Sequence, residues 1–583
     1  MADLVIRGGL VVDGTGRPPR RADVAVSGGT IVEVGDGVGR GRRELDADGL
    51  LVTPGFVDPH THYDGQATWD PLLAPSSLHG VTTVVMGNCG VGFAPAHPDR
   101  HDWLIGMMEG VEDIPGSALS EGLRWDWQSF PEFLDSLDRQ PRTIDVGTHV
   151  PHAALRAFVM GERGADASEH PSEDELRRMA DLVAEGLDAG AIGFSTSRTE
   201  LHRTRDGENL GTLRAGLAEL DALAAVLGER KTGVIQLLSD CYRSEDEGLV
   251  QRELELIGDV ARSSRRPVSF TVQQAYEVPE RWRALIEFVR KQQAGGLDVK
   301  AQVAPRPIGV LFGLEAHTNP FTYCRAYRQV ADLPLPERLA ALRDPDRRRR
   351  VLEGHAALTR GPGSFSGLSV LGRFDDMFVL DAPVDYDLRR ERSVGAAARR
   401  AGVEPAELVY DALIGGHGTQ LIYLPLFNFA HGDLGAVREM ITSPAAMFGL
   451  SDAGAHCGEI CDASMTTTYL ALWARDRRGA DGLSVEAVVH QITQRPAQHV
   501  GWLDRGVVEP GYIADLNVID LAALECMPPH IVKDLPAGGR RLVQEATGYR
   551  WTVKGGVVTF EDGDHTGELP GRLIRGARAP RSG

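Results

Sequence analysis

The sequence predicts an α/β protein built on a (β/α)8, TIM-like barrel. It adds a small composite β-sandwich domain drawn from both termini, and an insertion before the last barrel strand. Three observations predict this. Short apolar stretches alternate eight times with amphipathic helical stretches through the middle of the chain, both ends read as strand, turn, strand, and the regular spacing breaks once. The 583 residues are enough for a barrel of roughly 250 residues plus a satellite domain.

The first fifty residues alternate apolar runs with glycine turns, DLVIRGGLVVDG and then ADVAVSGGTIVEVGDG, as an antiparallel sheet does. GVVEPGYIADLNVIDL (506–521) and YRWTVKGGVVTFEDG (549–563) repeat the style. Residues 1–52 and 505–583 are therefore expected to form one domain around a barrel spanning 53–504. The barrel strands are expected at LVTPGFVDPH (51–60), VTTVVMGNC (81–89), TIDVGTHV (143–150), AIGFSTS (191–197), TGVIQLLSD (232–240), PVSFTVQQ (267–274), VKAQVAPRP (299–307) and MFGLSDAG (447–454). SEDELRRMADLVAEGLDAG (172–190) shows why the intervening segments read as helices. Ser172 and Glu175 form a capping box, Leu176, Met179, Val183 and Leu187 make one apolar stripe, and Gly190 supplies a stop. Between the seventh and eighth strands lie about 140 residues (307 to 447), more than one connecting helix needs. An insertion at about 308–445 is expected to cover the catalytic face and shape specificity.

Hydrophobic residues make up 42% and charged residues 25%, as in ordinary globular proteins. A formal net charge of -20 speaks against nucleic acid and anionic membrane as partners. The local basic runs DPDRRRRVLEGH (344–355) and RRERSVGAAARR (389–400) carry acids among the arginines and read as solvated helix surface. Six cysteines in 583 residues are too sparse for a disulfide framework, so a reducing, cytoplasmic setting is expected. No apolar run reaches the ~18 residues of a membrane span. A small-molecule partner is expected, with assembly into a homo-oligomer left open.

Candidate chemistry gathers where the strands end. His60 and His62 follow the first strand at i and i+2, a spacing that turns both imidazoles to one side. Paired histidines also occur as surface or hydrogen-bonded residues. The barrel position favours a metal site. Asp452, in GLSDAGAH at the end of the eighth strand, neighbours the first strand in a closed barrel. A carboxylate there can touch a metal and exchange a proton with water. Its alternative is capping the next helix. Cys89 ends the second strand in MGNCGVG, either as a thiolate ligand or as a small buried hydrophobe. Arg198 in STSRT and Arg306 in APRP end the fourth and seventh strands, and either fits a substrate carboxylate or a structural ion pair.

TPGFVDPHTHYDG, GNCGVGFAP, GFSTSRT, SDAGAH and PGYIADLNVID together resemble the amidohydrolase superfamily. The similarity is greatest to the D-aminoacylase, or N-acyl-D-amino-acid deacylase, branch, and it runs nearly end to end. The resemblance implies a metal-dependent hydrolase of carbon–nitrogen bonds, with Zn2+ held by His60, His62, Cys89 and Asp452. It also implies that metal-activated water attacks an amide carbonyl, with Asp452 as general acid/base.

One departure stands out. Such relatives carry histidine ligands at the ends of the fifth and sixth strands, where this chain has GVIQLLSD and PVSFTVQQ. Gln236 and Gln273 stand there instead, and an amide oxygen is a poor zinc ligand beside imidazole. Lys231 precedes the fifth strand and offers no carboxylated-lysine rescue, and Gln274 lies where some relatives carry a lysine. Three outcomes are open: one ion on the four ligands, replacement ligands from His149 or His152, or loss of the metal. The leading expectation is one Zn2+ ion without a second site, and cleavage of a linear amide such as an N-acyl (D-)amino acid. The alternatives are a hydantoinase- or dihydroorotase-like cyclic amide or imide hydrolase and a non-catalytic ligand-binding barrel. Arg198, Gln236, Gln273, Arg306 and His152 are the candidate substrate contacts, with Asp64, Asn88, Asp240 and His456 expected to orient ligands.

Overall fold

The computed structural model describes residues 1–360 and 370–579. Residues 361–369, within the expected insertion, and 580–583, at the end of the expected C-terminal segment, lie outside the described residues. Eight parallel strands form one sheet whose spatial order follows the chain. They are Phe56–Asp58, Val81–Met86, Asp145–Pro151, Gly193–Arg198, Val234–Ser239, Val268–Thr271, Val299–Val303 and Ala446–Phe448. Each of the eight expected segments contributes one strand.

The sheet closes above its first and last strands. Thr61 bridges Ala453 in parallel, the His62 N–H donates to the Ala453 carbonyl at 2.8 Å, and Ser451 Oγ donates to Asp58 at 2.5 Å. This closure brings Asp452 beside His60 and His62.

The helix Glu173–Ala189 forms as its sequence dictates. Ser172 and Glu175 make a reciprocal capping box, Met179, Val183 and Leu187 are buried, and Gly190 ends the helix at φ 116°.

The first expected strand needs correction. Leu51–Pro54 leaves the barrel, and only Phe56–Asp58 belongs to it. Gly55 separates the two because a Cβ there would sit 2.3 Å from Thr82 Oγ1. Leu51–Pro54 pairs with Leu516–Ile519 on one side and Ala2–Val11 on the other. It thereby joins both ends of the chain in one nine-stranded sheet. Val24, Val52, Leu516, Val518 and Val553 form an apolar core on this sheet.

Beneath the barrel a buried ion cluster binds it to that sheet. Asp145 opens the third barrel strand and accepts from Arg505 at 2.7 Å and Lys554 at 2.9 Å. Lys554 also meets Asp515 at 2.8 Å.

Between the seventh and eighth barrel strands, Ile308–Phe312, Ile422–Phe427 and Phe378–Val379 form a separate antiparallel sheet. It has its own apolar core, with Phe312, Phe321, Tyr410 and Leu424. Among the described residues no helix is long and apolar enough to cross a membrane.

Candidate active site

His60, Thr61 and His62 continue the first barrel strand past its last residue, so both imidazoles leave the top of the barrel together. The His60 and His62 donor atoms and Cys89 Sγ all lie within 4.8 Å of one another, and all three residues are buried. Cys89 Sγ is 3.3 Å from His60 Nε2. Asp452 Oδ1 stands on the cavity side of this group, 3.2 Å from His60 Nε2 and 3.7 Å from His62 Nε2. Its side chain is 23% exposed against 1% and 2% for the two histidines, so it is more open to the space above than either.

Two of these donors sit on backbone that side chains rarely adopt. Cys89 has φ 53° and Asp452 has φ 46°. Glycines permit the first turn: a Cβ on Gly87 would lie 2.7 Å from the His149 carbonyl, and one on Gly90 would lie 2.8 Å from Thr196 Cα. Gln236 holds the turn from below, its Oε1 accepting the Cys89 N–H at 2.7 Å. Strain of this kind collects at functional sites.

The surroundings aim the ligands. Gln302 Oε1, from the seventh strand, lies 2.6 Å from His60 Nδ1, which fixes the proton there and turns Nε2 toward the group. Glu112 Oε1 lies 3.2 Å from His62 Nδ1, within ion-pair range but off the line of a hydrogen bond.

Burial opposes charge on His62. The Glu112 carboxylate and hydrogen bonds to Asp452 and Cys89 overcome it and raise the pKa. Burial, with the neighbouring His62, drives the His60 pKa down, and burial, with the Glu112 and Asp452 carboxylates, pushes the Cys89 thiol up to about 11. Burial also resists ionisation of Asp452, but the two imidazoles pull its pKa well below the carboxylate range.

These residues fit a zinc ion. Bonds of 2.0–2.3 Å in a tetrahedron separate donors by about 3.3–3.8 Å, the spacing seen here between neighbouring donors. A divalent ion would also ionise the buried thiol and balance the two anionic donors, Cys89 and Asp452. Replacing Glu112 by glutamine is expected to weaken zinc binding about 10–100-fold, measured by competition with a chromophoric chelator. Unchanged affinity would remove Glu112 from this role.

A cavity of about 230 Å3 opens over the group. Gln273 and Thr271 line it, with Gln273 Oε1 and Thr271 Oγ1 lacking hydrogen-bond partners. Ile308 and Phe427 of the inserted sheet form part of its apolar wall.

Several sequence expectations need correction. Arg198 is spent on Glu253, with two hydrogen bonds of 2.8 and 2.7 Å. Arg306 is fully buried, 2.8 Å from Asp462 and stacked on Tyr386. His152 is fully buried between Thr196 and Glu219, at 2.8 and 3.0 Å. Gln236 supports the Cys89 turn and does not line the cavity. Neither His149 nor His152 joins the donor group.

Of the expected orienting residues, Asn88 ties the Cys89 turn to the Thr61 carbonyl at 3.1 Å. Asp64 accepts the Gly87 N–H at 3.1 Å, and His456 reaches Glu112 at 3.8 Å. Asp240 instead ties down Thr199 at 2.6 Å.

Sequence reasoning missed Glu112, Gln302, His202 and Glu459. Glu112 left a signal, since a carboxylate in the last turn of the helix His101–Glu112 opposes the helix dipole.

Comparison with known proteins bears on this arrangement. An uncharacterized protein of Mycobacterium tuberculosis is 28% identical over 100% of this chain and 96% of its own length. An N-acyl-D-glutamate deacylase of Alcaligenes xylosoxydans xylosoxydans is 33% identical over 52% of this chain and 57% of its own. The structure of N-acyl-D-glutamate deacylase from Bordetella bronchiseptica, complexed with zinc and a phosphonate inhibitor, shares the fold with a TM-score of 0.62. That likeness has 24% identity and covers 98% of this chain and 99% of the other. The model of the amidohydrolase family matches residues 43–560. The chain therefore belongs to the amidohydrolase family, is similar to the deacylases of that family, and is a hydrolase of carbon–nitrogen bonds other than peptide bonds.

Proposed function

We propose that this chain hydrolyses a linear amide of an N-acyl compound, using one zinc ion held by His60, His62, Cys89 and Asp452. The observation that carries the reading is the convergence of these four donors beneath a largely apolar cavity. When bound, the ion polarises the amide carbonyl and lowers the pKa of water.

The chain's own residues do the rest. Asp452, ionised and facing the cavity, takes a proton from the attacking water as the carbon–oxygen bond forms. It then delivers that proton to the departing nitrogen as the carbon–nitrogen bond breaks. Gln273 Oε1, unpaired at the cavity wall, accepts the amide N–H of the bound substrate. Ile308 and Phe427 of the inserted sheet give the substrate an apolar wall.

Linear rather than cyclic amides are supported by the relatives named as N-acyl-D-glutamate deacylase. The test is a panel of linear N-acyl compounds and cyclic imides, assayed before and after chelation. Hydrolysis of linear amides, lost with chelator and restored by zinc, is expected. Activity on rings alone, or activity indifferent to chelation, overturns the reading.

A further inference from the structure

The charge of the cavity wall defines which amides it accepts, provided that the hydrolytic reading above holds. Among the described residues the cavity lining contains no arginine or lysine. The two arginines best placed by sequence to clamp a carboxylate are both committed elsewhere, Arg198 to Glu253 and Arg306 to Asp462. The imidazoles do not replace them. His60 and His62 are donors in the metal group, His456 faces Glu112 at 3.8 Å, and burial holds His202 down to about 3 and therefore neutral.

The acids of the lining are Glu112, Asp452 and Glu459. Asp452 is balanced within the donor set, and Glu112 lies against His62. Glu459 differs. It stands in the loop after the eighth strand, its backbone carbonyl taking the Leu311 N–H at 2.6 Å, and it pairs with no arginine or lysine among the described residues; burial raises its pKa, against a hydrogen bond from Thr318 and the pull of His317 and His456. Beside it the wall is apolar, with Ile308, Val310 and Ile460. A substrate carboxylate brought here would meet a second carboxyl group and no arginine or lysine, and would lose its water.

We infer that the site takes hydrophobic amides whose amine side carries no carboxylate, neutral or cationic, and that Glu459 is the specificity-determining residue that turns acidic substrates away. The relative named N-acyl-D-glutamate deacylase takes an acidic N-acyl amino acid, and the inference sets this chain apart from it.

The experiment compares N-hexanoyl-D-leucine with N-hexanoylisopentylamine, the same molecule without its carboxylate, and with N-hexanoylcadaverine. Binding to zinc-loaded protein is followed by calorimetry and hydrolysis by amine release. The two carboxylate-free amides are expected to bind at least about tenfold more tightly than the leucine derivative. Glu459→Gln should narrow that gap, and Glu459→Arg should reverse it. Preference of the native protein for N-hexanoyl-D-leucine overturns the inference. So does an unchanged gap in both variants, or absence of binding by all three amides. Preferential binding of the carboxylate-free amides with no hydrolysis of any keeps the charge assignment and defeats the amidohydrolase reading.

Discussion

Asp452→Asn is expected to lower kcat by about 10²–10⁴-fold on whichever amide the native protein cleaves best. The substitution isolates the chemistry. Asparagine has nearly the size of aspartate and tolerates the left-handed backbone that Asp452 adopts at φ 46°, so the turn itself is preserved. What disappears is the anionic oxygen 3.2 Å from His60 Nε2, on a side chain more open to the cavity than either histidine. Without it no group at that point accepts the proton of water and returns it to the amine. Unfolding midpoint and zinc content report separately on fold and ligation. Largely intact hydrolysis in the variant would contradict the assignment of Asp452.

Asp145→Ala is expected to destabilise the protein by about 3–5 kcal/mol, the typical loss when one partner leaves a buried ion pair. The site is buried at the barrel floor, where Asp145 meets two cations, Arg505 and Lys554. Its other oxygen accepts the Arg572 N–H at 2.7 Å. Removal takes the partner Asp145 from both buried cations, leaving Arg505 to Asp504 and Lys554 to Asp515, and orphans an amide. Because Lys554 belongs to the composite sheet and Asp145 to the barrel, the loss falls on the junction of the two. Urea unfolding measures it, and a change below about 1 kcal/mol would show that the cluster is not a structural tie.

Much of this architecture was legible in the sequence because its signals are local. The eight barrel strands and the helix beginning after Ser172 follow from periodicity and capping, which need no knowledge of the rest of the chain. The split at Gly55 was not legible. LVTPGFVD reads as one apolar run, and only the approach of Thr82 shows why the chain must turn there.

At the site, strand-end position singled out His60, His62, Cys89 and Asp452, and the closed barrel gathers them. The groups that aim them were hidden. Gln302 comes from the opposite part of the sequence, and Glu112 from a helix that reaches the site only through tertiary packing. Arg198 and Arg306 were misread for the same reason. Their neutralising partners, Glu253 and Asp462, lie far along the chain, and no local pattern announces the pairing.

The missing fifth- and sixth-strand histidines remain the sharpest departure from the family resemblance. The structure gives Gln236 to the backbone of Cys89 and Gln273 to the cavity wall. Neither position supplies an imidazole for a second ion.

Elemental analysis of the purified protein, equilibrated with zinc and dialysed, tests the central claim most directly. The geometry predicts close to one equivalent of zinc per chain, falling toward none in His60→Ala. Two equivalents would mean that ligands outside this group complete a second site, and none would mean that the four donors do not form a metal centre.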